Sequence, residues 1–211
     1  MKISTSILSI ENDKIKIDKV INSTTDGIHL DIMDGKFVSF KTIDDDLIIS
    51  YLKKCQKPID IHFMTYNVKE YVKKYEVLKP SYMIFHYETG ENILDIIKYI
   101  KSRNIKAGIA INPKTDVNLI KDILPYIDLV LIMSVEPGRG GQEFMLSSIN
   151  KINELVELKE KYNFLIEIDG GINDKTISYL NGVDIAVCGS YITNSDDYNE
   201  KIIYLKSQVK I

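Results

Sequence analysis

The 211-residue chain has three histidines, and each stands close to other groups able to move protons or hold a cation. They occur in the stretches His29-Leu-Asp31-Ile-Met33, His62-Phe-Met64 and His86-Tyr-Glu88. A spacing of two puts side chains on one side of an extended segment. A further carboxylate, Asp169, follows the apolar run Phe164–Ile168. Together His29, Asp31, His62 and Asp169 offer two imidazoles and two carboxylates. That donor set suits one divalent ion, zinc first, with iron, manganese or cobalt also compatible with mixed nitrogen and oxygen ligands. Such a set leaves positions open for a substrate, which points to catalysis rather than to a structural metal.

Three glycine-bearing stretches form a second group. "MSVEPGRGGQEF" (Met133–Phe144) holds Gly138, Gly140 and Gly141 around Arg139, one of two arginines in a chain that otherwise uses lysine. "DGGIN" holds Gly170 and Gly171, and "CGS" holds Gly189 and Ser190. Glycine lets backbone N–H groups approach a phosphate closely. One such loop is weak evidence; three are stronger if the fold brings them together.

The elements that must position these residues are legible as alternation. Eight short, β-branched apolar runs recur: Ile3–Leu8, Gly27–Ile32, Ile59–Phe63, Tyr82–Phe85, Ala107–Ile111, Leu129–Met133, Phe164–Ile168 and Ile185–Cys188. Between them lie segments with apolar residues three and four apart, such as Leu47, Ile48, Tyr51 and Leu52, or Ile93, Ile96, Ile97 and Ile100. Asn92, Asp116 and Asp174 are expected helix caps. Continuously apolar strands suit a parallel sheet covered on both faces. The pattern predicts an α/β fold, a (β/α)₈ TIM barrel, as a single domain over residues 1–211. A doubly wound open sheet fits less well, because the first βα turn carries no G-x-G-x-x-G.

In such a barrel the chemistry sits at the C-terminal strand ends. All the residues above, with Ser6 at the end of the first strand, fall there. Strands 2 and 7 lie across the mouth from each other. Asp31 and Asp169 could then take a proton from one face of a carbon and return one to the other, inverting a stereocentre. The carbon must be α to a carbonyl, and positive charge must stabilise the enediolate. Met33, Met64 and Met133 would supply dry walls. The glycine loops after strands 6, 7 and 8 would bind the substrate's phosphate.

Composition bounds the alternatives. A net charge of −3 gives no electrostatic case for nucleic acid. No apolar run is long enough for a membrane span, and the start lacks signal-peptide features. Two cysteines, Cys55 and Cys188, do not form a disulfide framework. A cytoplasmic location is expected. No lysine sits at the strand ends, which counts against Schiff-base aldol chemistry.

The chain resembles the ribulose-phosphate 3-epimerase family. The resemblance rests on "SILS" (Ser6–Ser9), "HLDIMDGKFV" (His29–Val38), "DIHFM" (Asp60–Met64), "HYE" (His86–Glu88), "INP" (Ile111–Pro113), "MSVEPGRGGQEFM" (Met133–Met145), "IDGGI" (Ile168–Ile172) and "GS" (Gly189–Ser190). It implies interconversion of D-ribulose 5-phosphate and D-xylulose 5-phosphate, with D-allulose 6-phosphate as the alternative substrate. It implies metal ligands at His29, Asp31, His62 and Asp169, Asp31 as proton acceptor and Asp169 as donor. It implies substrate contacts from Ser6, His62, Gly138–Gly141, Gly170, Gly171, Gly189 and Ser190, and a homo-oligomer. Four positions depart from the pattern: Thr5 replaces a proline, Ser39-Phe40 replaces Pro-Asn, and Arg139 replaces a phenylalanine.

Overall fold

Eight parallel strands close on themselves in the order β1-β2-β3-β4-β5-β6-β7-β8. The computed structural model describes residues 1–208. The strands are β1 (Lys2–Ser6), β2 (Gly27–Met33), β3 (Ile59–Met64), β4 (Tyr82–His86), β5 (Lys106–Ile111), β6 (Leu129–Met133), β7 (Leu165–Asp169) and β8 (Ile185–Cys188). The barrel expected from the sequence is therefore present. The first strand stops at Ser6, and Leu8–Ile10 turns into a 3₁₀ segment.

The outer ring holds α1 (Lys14–Ile21), α2 (Asp45–Leu52), α3 (Val68–Tyr75), α4 (Ile93–Lys101), α5 (Ser148–Lys159), α6 (Ser190–Thr193) and α7 (Tyr198–Ser207). Asp13, Asp44, Asn92 and Asp197 cap α1, α2, α4 and α7 by accepting backbone N–H bonds. Asp116 caps a 3₁₀ turn at Val117–Ile120. Asp174 caps no helix: Asn173 accepts the backbone N–H bonds of Lys175 and Thr176 instead.

The βα repeat is imperfect. Among the described residues, only 3₁₀ turns follow β5 (Val117–Ile120, Leu124–Tyr126) and β7 (Ile177–Tyr179). Pro125 removes a donor in the first connection. Glycines at 170, 171 and 182, all at positive φ, break up the second, which is short.

Two apolar clusters form. The larger lies between the strands and the helices and includes Ile28, Leu30, Ile32, Ile61 and Phe63. The smaller fills one side of the barrel with Ile84, Ala110, Leu129, Leu131 and Met133. Gly108 belongs to that side because a Cβ there would lie 2.9 Å from Ile84 and 3.2 Å from Leu129. The alternate residues of β1, β2, β3 and β7 are Ser4, Ser6, His29, Asp31, Asp60, His62, Glu167 and Asp169. All but Asp169 are buried, and Asp169 is partly so. A barrel interior packed with hydrocarbon on one side and titratable groups on the other is costly to fold unless those groups are paired. It marks where the chemistry is.

Candidate active site and metal centre

The parallel register sets Asp31 opposite His62 and Ser6 opposite His29. Ligand atoms of His29, Asp31, His62 and Asp169 all lie within 4.8 Å of one another. His62 Nδ1 is 3.0 Å from Asp31 Oδ1, and Ser6 Oγ donates to Asp31 Oδ2 at 2.9 Å. His29 Nε2 is 3.3 Å from Asp31 Oδ1 and 4.0 Å from Asp169 Oδ2. That nitrogen is buried and makes no hydrogen bond to the described residues. An orphaned imidazole nitrogen aimed at two carboxylates fits a bound cation, and buried polar atoms seldom go unpaired otherwise. The four residues fit a divalent metal.

Two side chains behind this cluster escaped the sequence reading. Asp60 Oδ2 lies 2.5 Å from His29 Nδ1, and Ser4 Oγ donates to Asp60 Oδ1 at 3.0 Å. A carboxylate accepting from Nδ1–H fixes the tautomer that leaves Nε2 free for a metal. Glu167, fully buried, lies 3.7 Å from the same Nδ1. Both were findable: Asp60 precedes His62 by two, and Glu167 precedes Asp169 by two, the same spacing taken one step back.

Electrostatics separates the two central carboxyls. Burial opposes ionisation of Asp31, but the charge and hydrogen bonds of His29, together with His62, hold it well below the usual carboxylate range. Burial, then the charge of Asp31, pushes Asp169 above that range. Burial and Asp60 push Glu167 up as well. Burial lowers His62 to about 4, so its imidazole is neutral near pH 7. Burial works against a charge on His29 too, yet Asp31, Asp60 and Glu167 raise it well above normal. A metal ion held by these residues would supply the positive charge that this proton otherwise brings.

Above the cluster opens a cleft of about 400 Å³. Ser6, Asp31 and Asp169 form part of its floor, with Met64 and Met133 as apolar wall. The three glycine loops converge on it: Gly138, Arg139, Gly140 and Gly141 after β6, Gly170 and Gly171 after β7, and Gly189 and Ser190 after β8. His29, His62 and Met33 are buried and do not line the cleft. The glycines play different parts. Gly170 has φ 120°, and a Cβ there would lie 2.5 Å from Val135. Gly140 faces open space, with nothing within 4 Å of a Cβ. Arg139 is exposed, and no carboxylate among the described residues lies within ion-pair distance of it.

A family model described as the ribulose-phosphate 3 epimerase family matches residues 2–193. The chain belongs to this family. A relative from Helicobacter pylori strain J99, named ribulose-phosphate 3-epimerase, is 38% identical over 203 residues, covering 93% of both chains. One of the same name from Mycobacterium bovis is 35% identical over 211 residues, covering 98% of this chain and 92% of its own. Among solved structures, 3-hexulose-6-phosphate synthase from Salmonella typhimurium superposes with a TM-score of 0.70 over 99% of this chain at 15% identity. A Mycobacterium tuberculosis tryptophan synthase structure reaches 0.72 at 8% identity. At such identities these structures share the fold alone. Epimerase-family membership gives the cluster and the cleft a common purpose. Of the departures from the family pattern, Thr5 hydrogen-bonds Thr25 away from the cleft, and Phe40 is 52% exposed.

Proposed function

We propose that the protein inverts C3 of D-ribulose 5-phosphate to give D-xylulose 5-phosphate, through a proton taken by Asp31 and one given by Asp169. One observation carries this reading. Two carboxyls converge on one cleft from β2 and β7, beside a cluster of residues that fits a divalent ion.

C3 is α to the C2 carbonyl. Ionised Asp31, steadied by the Ser6 hydroxyl, removes the C3 proton, and the electron pair moves to the C2 oxygen to give an enediolate. Asp169, in its protonated form, delivers its proton to the opposite face of C3. Asp31 ends protonated and Asp169 ionised, so the reverse reaction swaps their roles. A divalent ion held by His29, Asp31, His62 and Asp169, zinc by preference, supplies positive charge for the developing oxyanion. Met64 and Met133 keep water from the reacting face, as Met33 does from behind. Backbone at Gly138–Gly141, Gly170, Gly171, Gly189 and Ser190 grips the phosphate, with Arg139 in reach.

The curated relatives are named for ribulose phosphate, which favours the five-carbon sugar over D-allulose 6-phosphate. Two free cysteines suit a reduced, cytoplasmic setting. Among the described residues no helix is long and apolar enough to cross a membrane. The implied homo-oligomer is read directly by light scattering. The deciding assay compares kcat/KM for D-ribulose 5-phosphate and D-allulose 6-phosphate. A value at least tenfold higher for the five-carbon substrate is expected; the reverse order overturns the substrate assignment.

A further inference from the structure

A chain of four side chains leaves the metal cluster through His62, the ligand that Asp60 does not touch. His62 Nδ1 faces Asp31 Oδ1 at 3.0 Å, and His62 Nε2 faces His86 Nε2 at 2.9 Å. His86 Nδ1 faces Glu88 Oε2 at 3.0 Å. Both imidazoles are fully buried. Phe37 lies against His86 with ring centroids 4.8 Å apart. Glu88 is anchored in turn: its Oε1 accepts from the Asn112 amide at 2.8 Å and from the Thr115 hydroxyl. Lys151 then donates to the carbonyl oxygens of Asn112 and Thr115. Nothing in the proton-transfer chemistry above uses His86 or Glu88.

Counting protons gives them a purpose. The chain Asp31–His62–His86–Glu88 has three gaps, and each needs one hydrogen. Two neutral imidazoles carry only two N–H groups, and an ionised carboxylate at each end carries none. A cation at the Asp31 end removes the deficit. His62 Nδ1 then presents a lone pair to the cation, Nε2–H donates to His86 Nε2, and His86 Nδ1–H donates to Glu88. Every atom in the arm is then satisfied with neutral rings.

We propose that His86 and Glu88 are positioning residues that hold His62 as its Nε2–H tautomer, keeping Nδ1 free to bind the divalent metal. The proposal rests on the reading of His62 as a metal ligand. It makes the two histidine ligands opposites: His29, tied to Asp60, binds through Nε2, and His62, tied to His86, binds through Nδ1. His86 accepts only because Glu88 has taken up its Nδ1–H. The arm orients the ring and raises the basicity of the ligating nitrogen, the usual effect of a carboxylate–histidine partner.

The test uses the whole protein loaded with zinc. With three histidines in the chain, long-range ¹H–¹⁵N spectra resolve every ring nitrogen. The expected pattern is Nδ1–H on His29, Nε2–H on His62 and Nδ1–H on His86. Zinc affinity, measured by competition with a chromophoric chelator, is expected to fall roughly 10- to 100-fold in His86→Leu. His86→Gln, whose amide oxygen can still accept from His62, is expected to recover most of that loss. Equal thermal unfolding of the two variants separates positioning from folding; if His86→Leu does not fold, the spectra and His86→Gln decide. Zinc-loaded protein with Nδ1–H on His62, or a His86→Leu affinity within about twofold of the parent, overturns the proposal while leaving the metal reading intact. Failure of the parent protein to bind zinc at all overturns both.

Discussion

Replacing Asp60 by asparagine tests how strongly a residue outside the cleft governs the metal centre. Asp60 accepts from His29 Nδ1 at 2.5 Å and from Ser4 Oγ at 3.0 Å, and all three residues are buried. Asparagine keeps the shape but removes the charge. It also offers an amide that can donate to Nδ1, favouring the tautomer with a proton on Nε2, the nitrogen needed by the metal. A hydrogen bond to a charged group contributes about 1.5–3 kcal/mol net. At 1.4 kcal/mol per tenfold, Asp60→Asn should weaken zinc affinity roughly 10- to 150-fold. Ser4→Ala leaves the carboxylate in place and removes one neutral donor, so a loss of about fivefold is expected. Chelator competition near neutral pH reads both. Full occupancy at high zinc should then return most of the lost turnover, because Asp60 touches no reacting atom. An Asp60→Asn affinity within about twofold of the parent refutes the reasoning. So does a loss in Ser4→Ala as large as that in Asp60→Asn.

Other expectations follow from the same geometry. Glu88 is held down from 4.5 to about 2, against burial, by His86, Thr115 and the Asn112 amide. Its folded pKa lies below its unfolded one, so its stabilisation is complete above about pH 4.5 and is lost as pH falls toward 2. After allowance for partial exposure this amounts to about 2 kcal/mol. The melting-temperature gap between parent and Glu88→Gln should therefore be largest near neutrality and shrink below pH 4; a gap that grows on acidification contradicts it. Gly170→Ala adds a Cβ 2.5 Å from Val135 at φ 120°. Strain and overpacking together should cost roughly 2–5 kcal/mol, visible as a lower denaturant midpoint and weaker inorganic phosphate binding. Arg139→Phe introduces the aromatic ring that the family resemblance leads one to expect at this position. If the guanidinium helps hold phosphate, KM should rise about threefold at low salt and converge with the parent's at high salt; an unchanged KM at both removes that role.

Much of the candidate site is legible because barrel geometry turns sequence spacing into shared direction. A two-residue spacing in a buried strand keeps His29, Asp31 and Met33 on one face, and parallel register then brings His62 beside Asp31. Asp60 and Glu167 obey the same spacing. They are harder to single out because barrel chemistry is expected at the strand ends, whereas the polar side of this barrel continues one layer below. The tautomer arm was illegible for another reason. His86 and Glu88 are visible as a pair, but their link to His62 is a contact between ring nitrogens that no spacing encodes. Helices after β5 and β7 were expected from the βα rhythm; the proline in one connection and the positive-φ glycines in the other outweighed it. The capping role given to Asp174 passed to Asn173 because a tight turn, rather than a helix, follows β7.

If two aspartates work on opposite faces of one carbon, isotope exchange separates their roles. Asp169→Asn, loaded with zinc in D₂O, keeps Asp31 as base but lacks a proton donor on the far face. It should wash deuterium into C3 of D-ribulose 5-phosphate while forming xylulose 5-phosphate at least about a thousandfold more slowly than the parent. Epimerisation near the parent rate would contradict the two-aspartate mechanism.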